Sequence, residues 1–271
     1  MFKKISMSLV LLLLTTGPLL SQAGLDIEDT WGDIVALYSF NDSLDSGPRG
    51  LHGNFYEGAD SVRGRGKQKC LRLEGEGSFG SFFNERPLAL PDSFSIVAFV
   101  KLHPQKHDLN IGMHGLSANG DSLGYANIRV KPDGNLSGVF RKEETDRTLA
   151  QTLEIRTEGK NISDNRWHHI AFTGFSDVYT LFIDGEIVAR RFVKDCVCFG
   201  SDRTNIYITN SRHGVDFVKK VFVDEVVFFQ IGLSLYEIRA IRKVGYKRFL
   251  NAMAVESSSK VTTTWGKIKS K

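Results

Sequence analysis

Cysteine is scarce in this chain: three residues, Cys70, Cys196 and Cys198, among 271. In an oxidising compartment that number allows one disulfide and leaves one thiol over. It excludes the disulfide-dense mini-domains. Cys196 and Cys198 lie two positions apart, so in a strand they share a face and are poorly placed to bond to each other. A bridge from Cys70 to one of them and three small buried apolar side chains are both open readings. A zinc centre wants four ligands at a recognisable spacing, and Cys-x-Cys alone does not provide it. Long hydrophobic runs are also missing. Beyond Leu20 no stretch approaches the roughly 20 apolar residues of a membrane-spanning helix. Charge of one sign is not in excess: 35 basic residues against 31 acidic give +4. That balance offers no electrostatic case for nucleic acid as a partner. No internal repeat of about 20–50 residues is visible, which disfavours propellers and solenoids.

What is present begins with an export signal. Lys3 and Lys4 form a basic start, an apolar run extends to Leu20, and Ser21-Gln22-Ala23 offers small residues for cleavage. This pattern predicts a signal peptide over residues 1–23 and an extracytoplasmic mature protein. Gly17-Pro18 interrupts the run, which argues against a retained anchor. No Cys follows the run to carry a lipid. Without Lys3 and Lys4 the chain has 33 basic and 31 acidic residues, a net of +2. The mature length of about 250 residues suffices for a full core without cross-links.

Most of the mature chain alternates like β-structure. Ile34–Phe40, Cys70–Glu74, Phe94–Leu102, Asn127–Val130, Leu136–Phe140 and Gln151–Arg156 read as strands. So do the runs beginning at Trp167 and Tyr179, Ile206–Ile208 and Val221–Phe228. Pro132-Asp133-Gly134-Asn135 is a turn, and Asp184-Gly185 tolerates the positive φ of a tight hairpin. Many strands with Gly-rich turns predict an all-β, two-sheet antiparallel sandwich, and the 19 Phe suit a shared core. The period changes at Leu233, after which Tyr236, Ile238, Ile241, Val244 and Phe249 follow helical spacing. Ser234 with Glu237 forms a capping box. A C-terminal α-helix is expected over about Leu235–Met253, with Gly245 as its weak point or early stop. The organisation is then signal peptide 1–23, one domain 24–242, and helix end with a basic, disordered tail 243–271. From Arg239 onward there are nine Lys/Arg and one acid, Glu256. A solvated tail is preferred to a dedicated docking arm. Trp265 within it reads equally as a docking residue or as a casually exposed ring.

The stretch Trp167-His168-His169-Ile170-Ala171-Phe172-Thr173, followed by Leu181-Phe182-Ile183-Asp184-Gly185-Glu186, resembles the central hairpin of laminin G-like domains. These belong to the concanavalin A-like lectin/glucanase jelly rolls. The resemblance extends over roughly residues 33–242. Leu37–Gly47 with Gly50-Leu51-His52-Gly53, Cys70–Gly75, Val223–Phe229 and Leu233–Ile238 follow in the family's order. Departures are Glu74 and Glu76 beside the second-strand glycine, and Val227 where an Arg is usual after Asp-Glu-Val. The resemblance implies a jelly-roll sandwich. It also implies a structural calcium, held by an Asp of the final strand and the first loop. The matching positions are Asp224 with Asp42 and Asp45, and that loop has the oxygen-rich chemistry calcium needs. An Asx-type turn explains the same loop without a metal.

Catalytic signals are weak. Glucanase-like hydrolysis needs two carboxylates flanking one bond. The nearest acidic pairs, Glu74/Glu76, Asp184/Glu186 and Asp224/Glu225, read as solvated or structural acids. There is no G-x-S-x-G elbow. His168 and His169 face opposite sides of a strand and cannot share one metal. No catalytic residue is assigned, and the ligand-binding residues stay unassigned. Tyr125, Asn127, Arg129, Arg141 and His114 are candidates for a jelly-roll ligand face by fold analogy. The expectation is a secreted, non-catalytic recognition or adhesion module for carbohydrate or an extracellular protein. A glycan hydrolase with an atypical carboxylate pair and a structural domain of an exported assembly are the alternatives. Asn135-Leu136-Ser137 and Asn161-Ile162-Ser163 are glycosylation sequons in a glycosylating host. The sequence is silent on oligomeric state.

Overall fold

The computed structural model describes residues 34–41, 46–47, 50–56, 58–66, 68–75, 79–84, 88–89, 93–116, 122–141, 152–175, 177–193, 200–201, 203–209, 218–246 and 248–249. The signal segment, Asp42, Asp45, Cys196, Cys198 and Trp265 lie outside the described residues. In chain order the strands are β1 (Ile34–Tyr38), β2 (Asn54–Tyr56), β3 (Ala59–Arg63), β4 (Lys69–Gly75), β5 (Phe79–Asn84) and β6 (Leu88–Ala89). Then come β7 (Ser93–Leu102), β8 (Leu109–Leu116), β9 (Ser122–Val130), β10 (Leu136–Arg141), β11 (Thr152–Arg156) and β12 (His168–Phe175). They are followed by β13 (Val178–Ile183), β14 (Glu186–Phe192), β15 (Gly200–Ser201), β16 (Arg203–Thr209), β17 (Val218–Phe229) and a helix, α1 (Leu235–Val244).

Two antiparallel sheets make the sandwich. The first runs β14-β13-β12-β7-β17-β4-β3, with β1 also paired to β17. β17 is long enough to hold β4 along Val218–Val223 and β1 along Val226–Phe229, with β7 on its other side. The second sheet runs β11-β10-β9-β8-β16-β5-β2. Alternation decides what faces inward. Ile96, Ala98, Ile170, Phe172 and Leu181 from the first sheet meet Ile111, Ile128, Leu136, Phe140 and Ile208 from the second, all buried. Phe94 stacks on Phe140 at 5.7 Å and meets Phe172 edge-on at 5.1 Å. The sheets also touch directly at Gly138, where an added Cβ would sit 2.7 Å from the Phe172 ring. Cys70 is buried with a free thiol, which burial pushes up to about 12.

The first sheet buries its other face as well. Ile34, Leu37, Val97, Ala171, Phe182, Val227 and Phe229 form a second core under α1, against Ile238 and Ile241. This explains why β1, β7 and β17 are apolar on both faces. Ser234 accepts from the Glu237 N–H while the Glu237 carboxylate accepts from the Ser234 N–H, so the expected capping box is present. The helix is shorter than the spacing predicts. It ends at Val244, and Gly245 at φ 77° and ψ 160° caps it. A Cβ there would lie 3.0 Å from both Glu225 carboxylate oxygens. The chain resumes one further turn, with the Phe249 N–H donating to the Gly245 carbonyl.

Candidate functional site

The second sheet turns its other face away from the sandwich, and no helix covers it among the described residues. Cross-strand register places its residues in rows. One row is Arg156, Ser137, Arg129, Asn110 and Thr209 across β11, β10, β9, β8 and β16. The next is Glu154, Val139, Asn127, Gly112 and Tyr207. By backbone pairing His114, Tyr125 and Arg141 fall in a third row. The five candidate positions named from sequence therefore share one face, because each lies an even number of residues from its in-strand neighbour. Asn110, Ser137 and Tyr207 were not among them. Their signal was the inward set Leu109, Ile111, Leu136, Ile206 and Ile208, whose alternation fixes the outward positions between.

The chemistry of this face is amide, hydroxyl and guanidinium. Asn127 Nδ2 donates to Asn110 Oδ1 at 3.1 Å, leaving its own Oδ1 without a partner. Ser137 Oγ and Arg129 Nε are also enclosed and without partners. Asn127 is 1 % exposed, Ser137 0 %, Val139 1 % and Asn110 6 %, so the middle of this face is closed, while Arg129 and Tyr207 are half-buried and Glu154 and Arg156 exposed. Unpaired enclosed polar atoms are uncommon in folded proteins. Gly112 forms the floor: an added Cβ would lie 2.6 Å from Tyr207 Oη, so the ring reclines across the glycine. At the margins the charges are paired. Arg156 bonds Asp133, and Lys131 bonds Asp108 at 3.1 Å and approaches Glu154 at 3.8 Å. Arg129 has no carboxylate partner among the described residues.

Of the acidic pairs weighed from sequence, Glu76 lies outside the described residues and the other members are placed elsewhere. Glu74 lies 3.8 Å from Arg72, Glu186 is held by Arg239 at 2.9 Å, and Asp184 binds His168 Nδ1 at 2.8 Å. His168 also meets Asp164 through Nε2 at 3.1 Å. The hydrogen bond to Asp184, then that to Asp164, outweighs burial and raises the imidazole above its ordinary value. His169, on the other side of the strand, is buried against Phe99 at 4.8 Å. Burial keeps that ring neutral, down to about 3. The two histidines thus have separate surroundings, as alternation requires.

Asp224 and Glu225 sit at a bulge in β17, where Glu225 takes φ 46°. The bulge lets two consecutive acids reach one cation, which a regular strand forbids. Arg65 bonds Glu225 at 2.9 Å, lies 3.7 Å from Asp224 and stacks on Phe99 at 3.5 Å. Glu225 also accepts the Tyr246 N–H at 3.0 Å. Burial first, then Glu225, drives Asp224 up to about 7. Of the implied calcium ligands, Asp42 and Asp45 are outside the described residues. At Asp224 the nearest positive charge is the protein's own guanidinium, which does not suit a divalent cation in the same place. Among the described residues no cluster of three or more metal-binding side chains exists.

Comparison with known proteins agrees with this architecture. The binding domain of Paraclostridial Mosquitocidal Protein 1 superposes with a TM-score of 0.58 at 18% identity, over 79% of this chain and 52% of that one. The receptor binding domain of botulinum neurotoxin D gives 0.57 at 12%, over 79% and 53%. The botulinum neurotoxin serotype D ligand binding domain in complex with N-acetylneuraminic acid gives 0.56 at 13%, over 80% and 52%. The chain spans about half the length of these structures, and at such identities the likeness is one of fold. No protein in the curated comparison matches. No helix among the described residues is long and apolar enough to cross a membrane. A laminin G family model of the concanavalin A-like lectin/glucanases superfamily matches residues 75–239, and the chain belongs to that family.

Proposed function

We propose that this is a secreted, non-catalytic recognition module that binds carbohydrate through the outer face of the second sheet. The observation that carries the reading is the polar row of this face, where the half-buried Arg129 and Tyr207 lie beside the enclosed Asn127 and Ser137. Sugars offer many hydroxyls to such groups and an apolar ring face to an aromatic. The described part of this face carries one carboxylate, Glu154, whereas glycoside hydrolysis uses two about 5–10 Å apart. That supports binding over turnover. A glycan array probed with the chain and with Tyr207→Ala tests it. Binding to a defined glycan class, lost in the variant, is expected. Silence toward every glycan overturns the carbohydrate reading and leaves adhesion to an extracellular protein.

A further inference from the structure

From the placement of the exposed apolar side chains we infer that the edge of the first sheet beside α1 docks on an anionic lipid bilayer, as a peripheral contact without a span. This goes beyond the proposed sugar binding and uses the other sheet. Among the described residues the exposed large apolar side chains are Phe175, Ile187, Phe192, Tyr236 and Val244, and all of them lie on β12, β14 or α1. Phe175 is 60 % exposed, Phe192 65 % and Tyr236 78 %. Register and alternation join them. Phe175 pairs with Val178, and Val178 with Phe192, so these residues form a row. The row lies on the face that carries α1, because Phe175 and Ala171, like Val178 and Phe182, are an even number apart, and Ala171 and Phe182 pack beneath the helix. Ile187 pairs with Phe182 on the same face. Gly232, at the entry to α1, abuts Phe175, where an added Cβ would meet the Phe175 Cβ at 2.6 Å. The helix thus covers the middle of this face and leaves the β14 edge exposed.

The charge around these side chains identifies the partner's chemistry. Arg190 shares the face of Phe192, and its Nε donates to the Thr180 hydroxyl at 3.3 Å. Arg191 donates to the Glu154 carbonyl at 3.2 Å. Neither guanidinium has a carboxylate partner among the described residues. On α1, Tyr236, Arg239 and Lys243 follow i, i+3, i+7 spacing along the outward side, opposite the buried Ile238 and Ile241. The acids here are engaged or half-buried. Glu186 bonds Arg239 at 2.9 Å, Asp184 bonds His168 at 2.8 Å, Glu237 accepts the Ser234 N–H, and Asp177 is half-buried. From Arg239 to the end the chain continues with nine Lys/Arg and one acid. Apolar side chains flanked by cations suit the boundary between acyl chains and anionic headgroups, where rings enter the apolar layer and charged tips stay with the phosphates. The rings protrude singly from a strand end, a strand and a helix, which suits insertion into a fluid layer better than a fitted protein pocket.

The test is flotation of the expected mature chain, residues 24–271, with vesicles of phosphatidylcholine alone and with roughly one quarter phosphatidylglycerol. The anionic vesicles should bind at least about tenfold more strongly than the neutral ones, and high salt should remove most of that preference. Phe175→Ser with Phe192→Ser should weaken binding about tenfold or more, and Arg190→Gln with Lys243→Gln by a similar factor. Arg63→Gln with Lys69→Gln, exposed cations at the opposite edge of the sheet, should bind as the parent does. All the substituted side chains are exposed, and unchanged melting temperatures certify the fold. No binding to anionic vesicles at low salt, or binding that the paired Phe substitutions leave unchanged, overturns the inference. Equal losses in the two charge variants overturn it as well, because the attraction then follows net charge alone. Concentration-dependent dimers without vesicle binding, abolished by the Phe substitutions, would overturn it in favour of a second copy of the chain. Glycan binding lost in Tyr207→Ala is read on the other sheet, so the two proposals fail separately.

Discussion

Single residues show how hydrogen bonding at His168 and burial at Asp224 tie stability to pH. His168 is raised by its bonds to Asp184 and Asp164, so its stabilisation is complete below pH 6.5 and fades as pH climbs through the folded value. His168→Gln should flatten the fall in melting temperature above that pH, measured by calorimetry across pH 5–9. Asp224 is also raised, from 3.8 to about 7. The folded chain keeps a proton that the unfolded chain releases, so stability falls as pH rises through that window and stays lower above it. Asp224→Asn should therefore raise stability at pH 8 by on the order of 2 kcal/mol and change little at pH 4. An unchanged pH profile in the variant contradicts the assignment. Arg65 as the counter-charge also predicts that a chelator leaves the melting temperature unchanged. A rise with millimolar calcium would instead support a metal at Asp42, Asp45 and Asp224. Little of this cluster was legible in the chain. Arg65 belongs to a turn, Phe99 to β7 and Glu225 to β17, and only folding brings them together. The shared face of Asn127 and Arg129 was legible, because period two is a local rule.

Elements were readable where a local device defines their ends. The Ser234–Glu237 capping box marks the start of α1, and Ser234→Ala should lower stability by about 1 kcal/mol in a denaturant melt. The end of α1 was less clear from spacing, since the apolar period continues to Phe249. Gly245 stops it for a tertiary reason: its backbone takes φ 77° and ψ 160°, a region only glycine occupies readily, directly against Glu225. Gly245→Ala should cost about 1–3 kcal/mol, and more if Glu225 cannot yield. A neutral effect would mean that the helix end is not held by this contact. Strands with polar or glycine-rich composition escaped the reading. β2, β3, β5 and β8 carry few consecutive β-branched residues, and neighbours in the sheet, not their own propensity, hold them in place.

At the scale of the whole molecule, two cores share the first sheet. One lies between the sheets, the other beneath α1. Among the described residues no helix covers the second sheet's outer face, and its enclosed polar groups set it apart from the charged margins. The architecture was legible from strand order, turn residues and the hairpin around Trp167. Which sheet carries the helix was not, because it depends on where α1 docks. Phe172 lies at the join of the sheets, and Phe172→Ala should destabilise by about 3–5 kcal/mol in urea melts without altering the face's chemistry. The central claim is that recognition occurs at the second sheet's outer side. Hydrogen–deuterium exchange of the chain with and without its highest-affinity array glycan tests it most directly. Protection should concentrate at 109–112, 126–130, 136–140 and 206–208. Protection confined to α1 or to β12–β14, with those four segments unchanged, would contradict it.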